Sequence, residues 1–247
     1  MMVGRLLVLV TYNASHILRS RREFVVVPLI STVASMLIVP YGLKLFTNSP
    51  AVGRVVATGL LMGTLFLPST ISGLYTVIEL SVGSLDRYLL LPIPRHYVIL
   101  SRLLATSVIN LIQVTAALTI AALQGVSVSA AGAAATYALS FLLSLGVTGI
   151  VLLLCVGSLD PRKVSLIASI TNVILLNLSP LYFPLNAVPP WLRAVMLVNP
   201  ATSVIECVRS ALTENTVNPA YLALAIALNT AWLAAGTKAL VKKLERI

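Results

Sequence analysis

The length of its almost uncharged apolar runs decides what this chain can fold into. Six runs stand out, at about Phe24–Phe46, Val52–Ile78, Leu103–Leu123, Ala130–Gly157, Val164–Phe183 and Pro219–Thr237. A helix crossing the hydrocarbon core of a bilayer needs about 20 residues, whereas a barrel strand needs about 9–11. The runs match the first length and lack the period-2 alternation of the second. They predict an all-α, polytopic integral membrane protein with six transmembrane helices. Composition agrees: 58% of residues are hydrophobic and 10% charged, with mean hydropathy +1.00, against about 45–50% and about 25% in soluble domains.

The formal net charge of +10 does not describe a nucleic-acid surface, because the cations sit in clusters beside the apolar runs. Arg5, Arg19, Arg21, Arg22, then Arg87, Arg95, Arg102, then Arg162, Lys163, then Lys238, Lys242, Lys243, Arg246 make thirteen. Lys44, Arg54, Arg193 and Arg209 make four. If both termini are cytoplasmic the thirteen lie inside and the four outside, which is the positive-inside pattern. The expected partner is therefore the lipid bilayer and not nucleic acid, and the expected place is the cell membrane.

The chain reads as one membrane domain over 1–247. An interface helix takes 1–22, a six-helix domain 24–237, and a basic cytoplasmic tail 238–247. In 1–22, Leu6, Leu7, Val10, Ile17 and Leu18 alternate with Arg5, Asn13, His16 and Arg19. This is the pattern of an amphipathic helix lying in the cytoplasmic interface, either as an anchor or as a contact for a partner.

Two segments depart from plain spanning helices. The first lies between Glu79 and Arg102 and carries both charge signs. Gly83 breaks the second span, Ser84 suits an N-cap and Asp86 falls in the first turn, where the helix dipole favours a carboxylate. Leu85–Leu91 then predict about two helical turns before Pro92, and Pro94 starts the helix that runs through Arg95 into the third span. The result is a short cytoplasmic helix between spans 2 and 3, followed by a rigid elbow. The second segment is Phe183–Leu212, where Pro184, Pro189, Pro190 and Pro200 forbid one continuous helix. Trp191 suits the membrane interface, and Glu206 and Arg209 stand three apart on one helical face. Two short re-entrant helices before span 6 are expected there, with Pro184, Trp191, Glu206 and Arg209 as candidates for an outer gate.

Catalytic and metal chemistry find no support. His16 and His96 have no nucleophile at a telling spacing, the acids form no ligand cluster, and Cys155 and Cys207 form no framework. No Gly-x-x-x-x-Gly-Lys-Ser/Thr phosphate loop occurs. The uncharged polar residues deepest in the apolar runs are Asn110, Gln113, Asn172 and Asn177. They either bond neighbouring helices or line a path. Gly59 and Gly63 present a small-xxx-small face of the kind used in close helix packing.

The run Glu79-Leu-Ser-Val-Gly-Ser-Leu-Asp-Arg-Tyr-Leu-Leu-Leu-Pro-Ile-Pro-Arg resembles the first cytoplasmic loop of ABC-2 type permeases. The run Leu178-Ser-Pro-Leu-Tyr-Phe-Pro-Leu-Asn-Ala-Val-Pro-Pro-Trp-Leu-Arg, ending Val198-Asn-Pro-Ala-Thr, resembles the pattern before that family's last span. The resemblance implies the membrane subunit of an ATP-binding-cassette exporter, paired with itself or a similar permease and driven by a separate ATPase subunit that holds the ATP and Mg. It implies that Leu85, Asp86, Arg87, Leu89 and Leu90 contact that ATPase, with Glu79, Gly83, Pro92, Pro94 and Arg95 shaping the loop. Apart from the resemblance, the absence of intramembrane charge and the many small residues suggest an amphipathic or lipid-like cargo. The rival readings are a secondary transporter, which would need an acid near the bilayer midplane, and a membrane scaffold not coupled to ATP.

Overall fold

A computed structural model describes residues 2–20, 23–47, 49–81, 94–158 and 160–245. Among the described residues the fold is helical throughout, with no strand. The helices are α1 (Met2–Ser20), α2 (Glu23–Thr47), α3 (Pro50–Gly63), α4 (Phe66–Ser81), α5 (Arg95–Leu123), α6 (Ala130–Cys155), α7 (Pro161–Asn177), α8 (Pro190–Val198), α9 (Pro200–Thr213) and α10 (Pro219–Leu244). Five segments are long and apolar enough to cross a membrane: Val25–Thr47, Ala51–Leu80, His96–Leu123, Ala130–Cys155 and Pro219–Leu244. The protein is a multi-pass membrane protein.

Three expected boundaries move, each for a reason visible in the sequence. The second run is broken at Thr64–Leu65, between α3 and α4. Pro68 has no N–H to give the Thr64 carbonyl, and its ring crowds that carbonyl, so the helix must restart. The fifth run is helical only to Asn177, and residues 178–184 are irregular. Pro180 biases Ser179 away from helical geometry and withholds a donor from Leu176. At 17 residues, α7 rises about 25 Å. Its start is fixed by Asp160, whose Oδ1 accepts from the Arg162 N–H at 2.9 Å, and by Pro161 in the first turn. The last helix does not stop at Thr237 but continues through Lys238, Lys242 and Lys243 to Leu244.

The spine is α6, which packs on α4, α5, α7 and α9 and most extensively on α10. Small residues permit that approach. A Cβ at Gly149 would stand 2.6 Å from the Trp232 carbonyl oxygen, and one at Gly236 would stand 2.1 Å from the Gly149 oxygen. The two backbones therefore touch, as they do where van der Waals contact and not water expulsion holds helices together. Helices α2 and α10 lie outermost, with 22% and 17% of their apolar windows buried. Val26, Val27, Ile30, Leu37 and Ile38 on α2 are exposed, as expected of a helix whose solvent is lipid. Helix α1 packs on α5, and buried Asn13 donates to the Ser101 hydroxyl at 3.1 Å.

The glycine contacts give opposed expectations within one chain. Gly236→Ala drives a methyl into the Gly149 carbonyl and should destabilise by roughly 1–3 kcal/mol, the usual cost of overpacking. Gly42, inside α2, has nothing within 4 Å of a new Cβ, so Gly42→Ala should stabilise by about 0.5–1 kcal/mol through helix propensity. Thermal unfolding in one detergent should order the proteins Gly42→Ala, wild type, Gly236→Ala, from most to least stable.

Candidate functional site

Three polar constellations are set along the bundle, one at each end and one in the middle. At the first end, Glu79 in the last turns of α4 forms an ion pair with Arg102, two turns into α5; both side chains are 15% exposed. The pair brackets the segment between the two helices. Gly83, Leu85, Asp86, Arg87, Leu89, Leu90 and Pro92 lie outside the described residues. Pro94 caps α5, as its fixed φ and missing N–H suit, and Arg95 opens that helix.

The middle constellation joins α4, α5 and α6. Asn110 donates to the Ser144 hydroxyl at 2.8 Å and to the Ser69 hydroxyl at 3.3 Å. Ser69 and Ser107 both reach Ser144, at 3.1 and 3.2 Å, and the Thr148 hydroxyl donates to the Ser69 carbonyl at 3.1 Å. All five residues are buried. On α4 they fall between Phe66 and Val77, and on α5 between Leu103 and Val114. Each of those pairs marks the boundary between the two separate apolar cores of the protein. The bundle is thus two apolar layers with a hydrogen-bonded polar layer between them.

Gln113 lies one turn along α5 from Asn110. It is fully buried, and neither its amide nitrogen nor its oxygen has a partner among the described residues. Asn172 accepts from Thr70 at 3.4 Å, joining α7 to α4. Asn177 is placed differently: it is exposed and bonds back to the Val173 carbonyl of its own helix at 2.8 Å.

At the far end the irregular segment 178–184 is held by α9. Glu206 and Arg209 pair at 2.5 Å, with side chains 14% and 8% exposed. Arg209 Nη2 donates to the Pro180 carbonyl at 2.8 Å, and Glu206 Oε1 accepts from the Leu185 N–H at 3.2 Å. Burial lowers the Arg209 pKa against the opposing pull of Glu206. Burial, with Glu206 beside it, pushes the Cys207 thiol up to about 11. Asn199, between α8 and α9, caps α9 through the Ala201 N–H at 3.0 Å. Its amide donates to the Leu175 carbonyl at 2.8 Å and to the Ser179 hydroxyl at 2.9 Å. Pro184 sits exposed at the start of a short 3-10 turn, Leu185–Ala187. Trp191, 70% exposed on α8, stands apart from the ion pair.

The partner of Gly59 and Gly63 is a finding the small-xxx-small spacing did not foretell. The irregular segment packs closest on that face: a Cβ at Gly59 would stand 2.1 Å from the Leu181 carbonyl oxygen, and one at Gly63 would stand 3.2 Å from a Leu181 methyl. Ser69, Ser107 and Ser144 were also not foretold. The available signal was the series Thr136, Ser140, Ser144 and Thr148, which puts small hydroxyls on one face of α6 at a spacing of four.

The model of the ABC-2 type transporter family matches residues 5–213. Two similar proteins carry the same name, "Putative transport permease ycf38". The one from Porphyra purpurea is 31% identical over 170 residues, covering 67% of this chain and 58% of that protein. The one from Pyropia yezoensis is 30% identical over 171 residues, covering 68% and 58%. The match thus spans under two thirds of the length of either relative.

A double-mutant cycle tests the α9 ion pair. Arg209→Met alone leaves Glu206 buried with its charge uncompensated and should cost about 3–5 kcal/mol. Adding Glu206→Gln should recover a large part of that loss in thermal unfolding, because no net charge then remains to be buried.

Proposed function

We propose, from the premise that this chain belongs to the ABC-2 type transporter family, that it is the permease subunit of an exporter powered by a separate ATPase. The observation that carries the reading is the Glu79–Arg102 pair at the mouth of the loop that resembles the family's ATPase-contacting segment. In this reading Leu85, Asp86, Arg87, Leu89 and Leu90 dock the ATPase, and ATP and Mg bind on that partner. The permease acts as a homodimer or as a heterodimer with a similar subunit, in the cell membrane, with both termini cytoplasmic.

The six-span topology belongs to the same proposal. Helix α7 supplies the fifth crossing, with residues 178–183 completing what its length of about 25 Å leaves short of a hydrocarbon core of about 30 Å. Helices α8 and α9 are the re-entrant pair, and α1 lies in the cytoplasmic interface, where exposed Leu7, Val8 and Tyr12 meet acyl chains.

Mechanically, the ion pair makes the ends of α4 and α5 move as one. A push on the loop then travels along α5, a single helix of 29 residues, to the polar layer at Asn110. Hydroxyl-to-hydroxyl bonds in that layer exchange partners at low cost, so α4, α5 and α6 can shift without stranding a charge in lipid. Asn110, Gln113 and Asn172 are the candidate path residues, with the unpartnered Gln113 amide the group best placed to meet a polar part of the cargo. The Glu206–Arg209 pair with Pro184 and Trp191 forms the candidate outer gate. An amphipathic cargo suits walls that carry amides and hydroxyls and no midplane acid.

Purification from the native membrane in mild detergent should recover an ATPase subunit with the wild type and not with Asp86→Lys/Leu90→Glu. Failure to recover any ATPase, or equal recovery with both proteins, would favour an uncoupled transporter or a scaffold. The ion pair predicts a finer outcome. Glu79→Arg should retain the ATPase yet lower transport per ATP hydrolysed, and Glu79→Arg/Arg102→Glu should restore it, as counted by cargo efflux against phosphate release.

A further inference from the structure

The four cations outside the main basic clusters are not alike in their surroundings. Arg209 is paired with Glu206, and Arg193 donates to the Tyr221 hydroxyl at 2.8 Å. Lys44 and Arg54 form no ion pair with any described residue, yet both line one cavity of about 500 Å³. Its wall comes from the end of α2 (Pro40, Tyr41, Lys44), the start of α3 (Gly53, Arg54) and the turn after α5 (Leu123, Gln124, Gly125). No acid lines it. Backbone approach fixes its floor: a Cβ at Gly53 would stand 3.6 Å from both the Lys44 Cβ and the Pro40 carbonyl oxygen.

Two like charges facing one cavity repel unless an anion lies between them. An ammonium and a planar guanidinium together suit a phosphate, the first as a point charge and the second through paired N–H donors. Gln124 adds a second element. Its amide nitrogen donates to the Met36 carbonyl at 2.5 Å, while its buried oxygen has no partner among the described residues. Beside the cavity, Tyr41, Leu45, Phe46 and Leu123 are exposed by 62%, 65%, 90% and 82%, an apolar surface on which acyl chains can lie.

We infer that the cavity between α2, α3 and the α5–α6 turn binds a phosphate group, with the polar head of an anionic phospholipid as its fitting form. Lys44 and Arg54 hold the phosphate, in a wall completed by Gln124. The inference needs only the multi-pass membrane fold and is independent of ATP coupling and of the direction of transport.

The test is thermal unfolding of the detergent-purified protein with three probes: dioctanoyl phosphatidylglycerol, uncharged dioctanoylglycerol and inorganic phosphate. The phospholipid should raise the wild-type midpoint, with an apparent affinity that falls as sodium chloride rises. Lys44→Gln/Arg54→Gln should weaken that affinity by tenfold or more, and Lys238→Gln, away from the cavity, should leave it unchanged. Gly53→Phe, which keeps both charges and fills the cavity, should abolish the shift and guards against a double variant that fails to fold. A matching shift with inorganic phosphate alone, lost in the same variants, would support the site with the free anion as its occupant. An equal shift with dioctanoylglycerol, or a phospholipid shift that survives in both Lys44→Gln/Arg54→Gln and Gly53→Phe, would overturn it.

Discussion

A backbone that leaves helical geometry inside a membrane must find its hydrogen bonds within the protein, because hydrocarbon supplies none. This chain leaves the helix at residue 178 and does not resume a spanning helix until Pro219. The side chains of that stretch are what make the departure possible. Arg209 answers the Pro180 carbonyl, Glu206 answers the Leu185 N–H, and Asn199 answers the carbonyl left open near the end of α7. The glycines at 59 and 63 then let the unwound chain lie against α3, where a Cβ would meet the Leu181 backbone at position 59 and the Leu181 side chain at position 63. Arg209 in particular is a buried charge held on two sides, by Glu206 and by the Pro180 carbonyl.

The same constraint explains why α6 is the spine. Without water to expel, apolar side chains gain little by meeting each other in lipid, so contact area and interhelical hydrogen bonds carry the association. Helix α6 offers both. Its glycines at 146 and 149 admit α10, with a Cβ at Gly146 only 1.9 Å from the Asn229 Oδ1, and its hydroxyl face meets α4 and α5. The polar layer at Ser144 costs little because its groups are partnered: Ser144 accepts from Asn110, Ser69 and Ser107, Ser69 accepts from Asn110, and Thr148 donates to the Ser69 carbonyl.

Most of the fold was legible because span length is a property of composition along the chain. The all-helical, multi-pass reading needs only long apolar runs, and the Glu206–Arg209 pairing needs only a spacing of three on a helix. What was not legible depends on partners distant in sequence. Gly59 and Gly63 announced a close approach but not its partner, since Leu181 lies more than a hundred residues away. The polar layer was half visible: Asn110 stood out as an amide in an apolar run, while Ser69, Ser107 and Ser144 are commonplace in membrane helices until three helices bring them together. Pro68 and Pro180 were present to be read, but hydropathy alone runs through both, past the break inside the segment Ala51–Leu80 and past the end of α7 at Asn177.

The two sequence stretches that resemble the ABC-2 pattern now have different kinds of explanation. The later one, around Leu178–Phe183 and Val198–Thr202, is accounted for by folding alone: Ser179, Pro180, Leu181, Asn199 and Thr202 each terminate, cap or satisfy a piece of irregular backbone. Replacing Ser179, Asn199 or Thr202 removes a local side-chain hydrogen bond whether or not anything is transported. The earlier stretch lies between helices whose ends are already joined by Glu79 and Arg102. Its sequence sets Asp86 and Arg87 among four leucines, Leu85, Leu89, Leu90 and Leu91. In the function proposed above those side chains answer to a surface outside the chain, and that contrast with the later stretch is why the ATPase contact is proposed there and not at the opposite end.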